Sequence, residues 1–153
     1  MVTQMPKYWI ITVSEENWKT IKSSNIYGAP ESKGFKPIYE LVKSGDTVIF
    51  YVKKKGSRDL GGKFVGVFKV ISEWFRGDKP LWPDEVREGR VKYPWRVKLE
   101  PIKLGIADFK ELVPKLKFIE KKDRAQAYLV GTPANLRRPI PEEDAKLIIE
   151  SLK

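Results

Sequence analysis

Neither cysteine nor histidine occurs anywhere in the sequence. That removes thiolate nucleophiles, Cys/His zinc sites, histidine-based triads and haem ligation, because each needs one of these side chains. It also removes a disulfide scaffold, which fits a cytoplasmic protein. The first residues have no apolar signal-peptide core. No apolar run reaches the roughly 18 residues needed to cross a bilayer. Phosphate-cradling glycine fingerprints are missing: there is no GxxxxGK[ST] and no GxGxxG. The nearest glycine cluster, Gly56 to Gly66, fits turn geometry and close packing. Low-complexity stretches and internal repeats are absent. The expectation is a chain with no metal, no cofactor, no catalytic residue and no membrane partner.

What is present is positive charge. Thirty Lys and Arg face 20 Asp and Glu, a formal net charge of +10. A domain this basic is predisposed toward polyanions, because cationic side chains release the counterions condensed on phosphates. A hydrophobic fraction of 41% and an aromatic fraction of 12% are enough for a packed core and argue against disorder. With 153 residues and no internal boundary, residues 1–153 read as one domain. Abundant Lys and Glu with only two Met are compatible with a thermophilic source.

Period-2 patterning predicts strands over residues 7–13, 47–52, 63–74 and 93–100, with a short one at 128–130. Ser14 is placed to cap a helix over 15–22, with Glu15 and Glu16 in its first turn and Trp18 and Ile21 on one face. Helical spacing returns at Ile38, Leu41 and Val42 and stops at Gly45. Further helices are expected over 107–113 and after Pro141, the last with Ala145, Ile148, Ile149 and Leu152 as its apolar face. Residues 23–37 and 75–92 read as loops, and 53–62 as a basic turn joining an antiparallel pair. The fold class is α+β: a small mixed, mainly antiparallel sheet of five or six strands, curled into a partial β-barrel and flanked by short helices.

The acidic pairs Glu15-Glu16, Asp84-Glu85 and Glu142-Glu143 read as caps or solvated groups, with no apolar pocket to raise a pKa. Among the aromatics, Trp9, Trp18 and Trp95 fall on inward-facing positions and are assigned to the core. Tyr27, Trp74, Phe75 and Trp82 do not fit that pattern. A large ring in a loop either folds back onto the core or stands exposed. Beside Lys and Arg, an exposed one is a platform on which a base can stack.

Several blocks in order carry a resemblance: YWIITVSEENWKTIKSSNIYGAP, GDTVIFYV, GGKFVGVFKVISEWF and YPWRVKLEPI. Together they cover nearly the whole chain, which resembles an EVE domain of the archaeal kind. That resemblance implies a PUA-like fold, related to the YTH domains that read N6-methyladenine in RNA through an aromatic cage. By the likeness to YTH domains, Tyr27 stands for the first cage Trp, and KPLWP points to Trp82 for the second. Asn17 falls where a side chain contacts the base edge. NLRRPIPEEDAKLI resembles a phosphate-contacting stretch, so Arg137 and Arg138 become candidates.

The expected function is therefore non-enzymatic binding of RNA or DNA, with one base, methylated or otherwise modified, taken into an aromatic pocket. The expected pocket residues are Asn17, Asn25, Tyr27, Gly28, Trp74, Phe75 and Trp82, with the base between Tyr27 and Trp82. Lys53, Lys54, Lys55, Arg58, Arg137 and Arg138 are the expected phosphate contacts. Two other readings stay open. One is a hydrolase similar to ASCH domains, using Lys22, Thr47 and Glu73; the other is an accessory module whose loop aromatics bind a protein.

Overall fold

Alternation in the first strand, β1 (Tyr8–Val13), sends Trp9, Ile11 and Val13 into one apolar cluster and sets Tyr8 and Ile10 against another. The computed structural model describes residues 6–128 and 139–153. Parallel to β1 lies β3 (Thr47–Val52), with Tyr8 opposite Thr47 and Val13 opposite Val52. Val48, Phe50 and Val52 of β3 join the first cluster, and Ile49 and Tyr51 the second. A strand buried on both faces needs an unbroken apolar run, and TVIFYV supplies one.

The remaining pairings are antiparallel. β4 (Lys63–Val70) pairs with β3, and β6 (Trp95–Asp108) pairs with β4 through its second half. The first residues of β6 pair with β2 (Ile26–Ala29) and with the two-residue β5 (Phe75–Arg76). The six strands form one mixed sheet in the order β1-β3-β4-β6-β2, with β5 beside β6. It curls into a half-barrel, helped by register shifts in β4–β6.

α1 (Glu15–Ser24) closes the inner face. The Ser14 hydroxyl accepts the Asn17 N–H, and Trp18 packs its ring against Phe50 and Phe68 at 5.9 Å each. Burial of such a ring is worth about 1.5–3 kcal/mol. α2 (Lys36–Leu41) adds Ile38 to the same cluster. On the other face, α4 (Phe109–Leu112) and α5 (Glu142–Ser151) bury Phe109, Leu112, Ala145 and Ile148 against Ile49, Tyr51 and Phe64. Among the described residues no helix is long and apolar enough to cross a membrane.

Four boundaries differ from the sequence expectation, each for a local reason. The strand expected over 63–74 ends at Val70, because Ile71 and Ser72 cross to Lys98: the Ile71 N–H donates to the Lys98 carbonyl, and the Ser72 hydroxyl accepts the Lys98 N–H. The expected loop 23–37 contains β2, reached as soon as Asn25, at φ 59°, ends α1 in the left-handed region that Asn tolerates. β6 runs eight residues beyond the expected end at 100, through Pro101 and Gly105, because residues 99–108 find partners in β4. The expected loop 75–92 holds α3 (Pro83–Glu88), opened by Trp82 with Pro83 in the first turn and Glu85 at its third position. Tyr128, expected to begin the last strand, instead ends a 3-10 helix (Lys122–Tyr128), and residues 129 and 130 lie outside the described residues.

The acidic residues expected as caps or solvated groups include two that are buried. Glu15 accepts the N–H groups of Arg58, Asp59 and Leu60 at 3.1, 2.9 and 2.5 Å and so pins the basic turn. Glu85 is fully buried and accepts from Leu81, Trp82, Lys92 and Tyr93 at 2.7–3.2 Å. The Arg96 guanidinium, itself buried, reaches the same carboxylate at 3.3 Å and lies over the Trp82 ring at 5.1 Å. Asp46 and Asp144 repeat the device: Asp46 takes the Trp9 indole N–H and the backbone of Lys7 and Lys43, and Asp144 takes Lys117 and Phe118. A buried carboxylate is tolerated when its lone pairs are filled in this way.

Glu85→Ala would leave the buried Arg96 charge without its counter-ion, held by the Tyr93 and Lys79 carbonyls, and four backbone donors without their acceptor. The expected loss is about 3–5 kcal/mol, measured as a fall in urea midpoint, with the turn 81–93 exchanging its amide hydrogens first. Burial pushes the Glu85 carboxyl up, but its four N–H donors outweigh burial and hold it below the usual glutamate range. The donors on Glu15 act in the same direction. A carboxyl depressed in the fold contributes stability above its unfolded pKa of about 4.3, and that contribution disappears as pH falls through the folded value. The urea midpoint should therefore hold steady from neutral pH to about 5 and drop steeply below about 4. Glu85→Ala should flatten that drop.

Candidate functional site

The aromatic pocket expected between Tyr27 and Trp82 is not formed, and the reason is strand alternation in β2. The Tyr27 ring faces the interior of the half-barrel, 5.7 Å from Phe50 and 6.1 Å from Trp74. Its neighbour Gly28 faces the other way, as alternation along a strand requires. A Cβ on Gly28 would lie 2.4 Å from Trp82 and 2.8 Å from Tyr93. The strand itself separates the two rings, and both are buried, Tyr27 to 6% and Trp82 to 1% exposure. Burial pushes the Tyr27 phenol up out of the titrating range. Between Tyr27 and Trp74 there is only a dry crevice, lined by Val42, Val48 and Phe50 among others, with no room for a water molecule.

The other expected pocket residues divide along the same line. Trp74 is half-buried on the Tyr27 side and donates its indole N–H to the Val42 carbonyl at 2.8 Å. Phe75, half-buried, pairs in β5 with Arg96. Asn17 lies on the Trp82 side. Its side chain hydrogen-bonds the Tyr93 hydroxyl, which donates to Asp84 at 2.5 Å, and its Oδ1 is buried without a partner. Burial first, and then Asp84, push the Tyr93 phenol up to about 12, so this hydroxyl remains a donor. Asn25 serves the backbone: its N–H closes α1 on Ile21, and its carbonyl accepts the Leu99 N–H.

A ring that the sequence assigned to the core also stands partly exposed. Trp95 points inward, as its alternation requires, but it stands at the rim and is only half-buried. Ring contacts lead out to it from the core: Tyr27 to Trp74, Trp74 to Tyr39 at 6.3 Å, and Tyr39 to Trp95. Tyr39 stacks on Trp95 at 5.1 Å with 22° between planes. The Arg76 guanidinium lies over the Trp95 ring, 5.1 Å from its centroid, and Glu31 accepts from Arg76 at 2.8 Å. The Trp95 indole N–H is buried and has no partner among the described residues. No helical or strand period marks a rim residue apart from a core one, so the sequence carried no signal for Trp95.

Arg76 also lines a groove of about 570 Å³, together with Pro30, Glu31, Asp78, Arg90, Lys92 and Pro94. The groove is zwitterionic. Arg90 and Lys92 meet Glu88 at 3.2 and 2.7 Å, and Lys92 meets Asp84 at 3.4 Å. Glu88, then Asp84, hold the Lys92 ammonium above the ordinary lysine value, and the Arg76 hydrogen bond holds Glu31 below the ordinary glutamate value.

The expected phosphate contacts Lys53, Lys54, Lys55 and Arg58 are exposed, and among the described residues none of them makes a salt bridge. The turn that carries them is tied to α1 through Glu15, and α1 is tied to α3 by the Glu16–Arg87 ion pair. Arg137 and Arg138 lie outside the described residues. Lys22 is exposed on α1, Thr47 opens β3 and Glu73 is exposed after β4. Among the described residues no hydrogen bond or ion pair joins these three. No group of three or more metal-ligating side chains is present among the described residues.

Comparison with known proteins places this geometry in a family. A UPF0310 protein of Saccharolobus solfataricus is 41% identical over 146 residues, covering 95% of each chain. One of Pyrococcus abyssi is 39% identical over 147 residues, covering 95% of this chain and 98% of the relative. Among solved structures, the YTH domain of Zygosaccharomyces rouxii MRB1, in complex with N6-methyladenosine RNA, superposes with a TM-score of 0.58. It is 20% identical, over 98% of this chain and 88% of that one. The Pho92 YTH domain in complex with m6A gives a TM-score of 0.60 at 19% identity, over 100% and 87%. At these identities the likeness concerns the fold. Residues 7–151 match the EVE domain profile, and the chain belongs to the EVE domain family.

Proposed function

We propose that this domain is a nucleic-acid-binding module without chemistry of its own, which holds one base, modified bases included, at the Trp95 rim of the charged groove. The observation that carries this reading is Trp95 itself: a half-buried indole, stacked on Tyr39 and covered by Arg76, which in turn lines a groove with Arg90 and Lys92. A flat ring with cations around it meets both needs of a polynucleotide, since a base stacks on the ring for about 1–3 kcal/mol and the cations meet phosphate. The net charge of +10 and the exposed turn of Lys53, Lys54, Lys55 and Arg58 favour the same partner. The YTH domains of similar fold, solved with N6-methyladenosine RNA and with m6A, make RNA the first ligand to test.

The reading moves the base from the Tyr27–Trp82 slot to the rim and leaves both buried rings as scaffold. Lys53, Lys54, Lys55 and Arg58 remain its phosphate contacts at the hairpin turn. On the far side of β2, the unpaired Asn17 Oδ1 costs the fold about 1–3 kcal/mol. A ligand N–H reaching the seam between α1 and α3 would satisfy it.

The test is a fluorescence titration of short single-stranded RNA and DNA, plain and methylated, at two salt concentrations. Binding should weaken as salt rises, by a slope of about 0.7 per phosphate contact. The Arg90 side chain is 69% exposed, so Arg90→Ala should leave the protein folded. It should weaken every sequence alike and lower that slope by about 0.7. No measurable binding of any oligomer at low salt would overturn the proposal.

A further inference from the structure

The Trp95 ring is already covered by a small planar cation belonging to the protein, and that cation lines the groove. Arg76 covers the ring at 5.1 Å, and its Nη2 donates to Glu31 at 2.8 Å. From this arrangement we infer that the rim selects a base with a fixed positive charge and a guanidine-like donor edge, of which 7-methylguanine is the simplest case. The inference rests on the nucleic-acid reading above and names the base that reading leaves open.

Arg76 is held there weakly. Its side chain and that of Glu31 are each 54% exposed, and an ion pair so open to water contributes little. The ring beneath it is fixed, because Tyr39 stacks on it with 22° between planes. A ligand that displaces Arg76 therefore meets a preformed aromatic face with a carboxylate at hydrogen-bond distance from whatever lies over it. Two demands follow. Over an indole, a cation is drawn by the ring quadrupole more strongly than a neutral ring of the same shape. Facing the carboxylate, two parallel N–H donors do what a guanidinium does.

The N1–H and N2–H₂ edge of guanine is that pair of donors, and methylation at N7 supplies the charge. Adenine methylated at N6 has one N–H at its edge and no charge, so it would leave Glu31 poorly matched. Once displaced, Arg76 joins Arg90 and Lys92 in the groove, where a nucleotide phosphate can meet it.

The experiment compares 7-methylguanosine monophosphate with guanosine monophosphate. It also compares three matched oligoribonucleotides carrying one internal 7-methylguanine, guanine or N6-methyladenine. In both sets the 7-methylguanine ligand should bind about tenfold tighter than its guanine counterpart. A methylated oligomer that binds more tightly than the mononucleotide assigns the base to a polymer, and equal affinity assigns it to a free nucleotide; both support the charged-base site. Glu31→Gln, which keeps the ring and removes the facing charge, should reduce the preference while keeping salt-sensitive oligomer binding. Arg76→Ala, which uncovers Trp95, should keep the preference.

Equal binding of the guanine and 7-methylguanine oligomers would overturn the inference while the nucleic-acid reading stands. So would a preference for N6-methyladenine, or a preference undiminished by Glu31→Gln. If no oligomer binds, the reading beneath it fails as well.

Discussion

One buried carboxylate organises the side of the molecule on which the groove lies. Glu85 gathers the N–H groups of Leu81, Trp82, Lys92 and Tyr93 and the guanidinium of Arg96. Through these contacts it fixes α3 against the outer face of β2 and β6 and sets the Trp82 ring on Gly28. Arg90 and Lys92 follow directly on that anchored turn, and Arg96 is the residue after Trp95. Gly77 follows Arg76 and carries no Cβ, which would lie 2.4 Å from the Arg96 guanidinium. The positions of the groove cations are thus consequences of how one negative charge is satisfied.

The same solution recurs because the fold has long connections and few other means of holding them. A connection crossing the surface leaves backbone donors without strand or helix partners, and each unmet buried donor is costly. Glu15, Asp46, Glu85 and Asp144 meet those donors in four separate places. A carboxylate is suited to this because it only accepts, and a cluster of N–H groups only donates. In a chain with ten more cations than anions, these acids hold loops in place. The lysines of the 53–55 turn then project from a backbone already fixed by Glu15.

Where the sequence was legible, the reason is periodicity. The Trp9, Ile11, Val13 alternation and the continuous Val48–Val52 run identify strands whose burial the structure repeats. The mixed, mainly antiparallel curled sheet followed from those strands and from the ordered blocks that resemble an EVE domain. The connections were less legible. β2 is only four residues long and β5 only two, so neither displays a period before it ends. The second half of β6 exposes Ile102, Leu104 and Ile106, and its alternation is interrupted by Pro101 and Gly105. The candidate site was hardest to read, because core and rim aromatics share one chemistry. Trp95 and Tyr27 both point inward from paired strands, and only the depth of each along the half-barrel decides whether a ligand can meet it.

That difference in depth also decides which rings can take part in recognition. Opening a slot beside Tyr27 would break the Trp74–Val42 hydrogen bond, worth about 1 kcal/mol net. It would also part rings whose burial stabilises the core by about 1.5–3 kcal/mol each. Uncovering Trp95 breaks one exposed ion pair and one cation–π contact at the surface, both weak where water reaches them. A ligand spends its binding energy where the fold resists least. The rim set of Trp95, Tyr39, Arg76 and Glu31 can therefore change partners while the buried ladder behind it holds them in register. Specificity placed at such a rim is free to vary without disturbing the core, because the groups that would change stand at the edge of the packing.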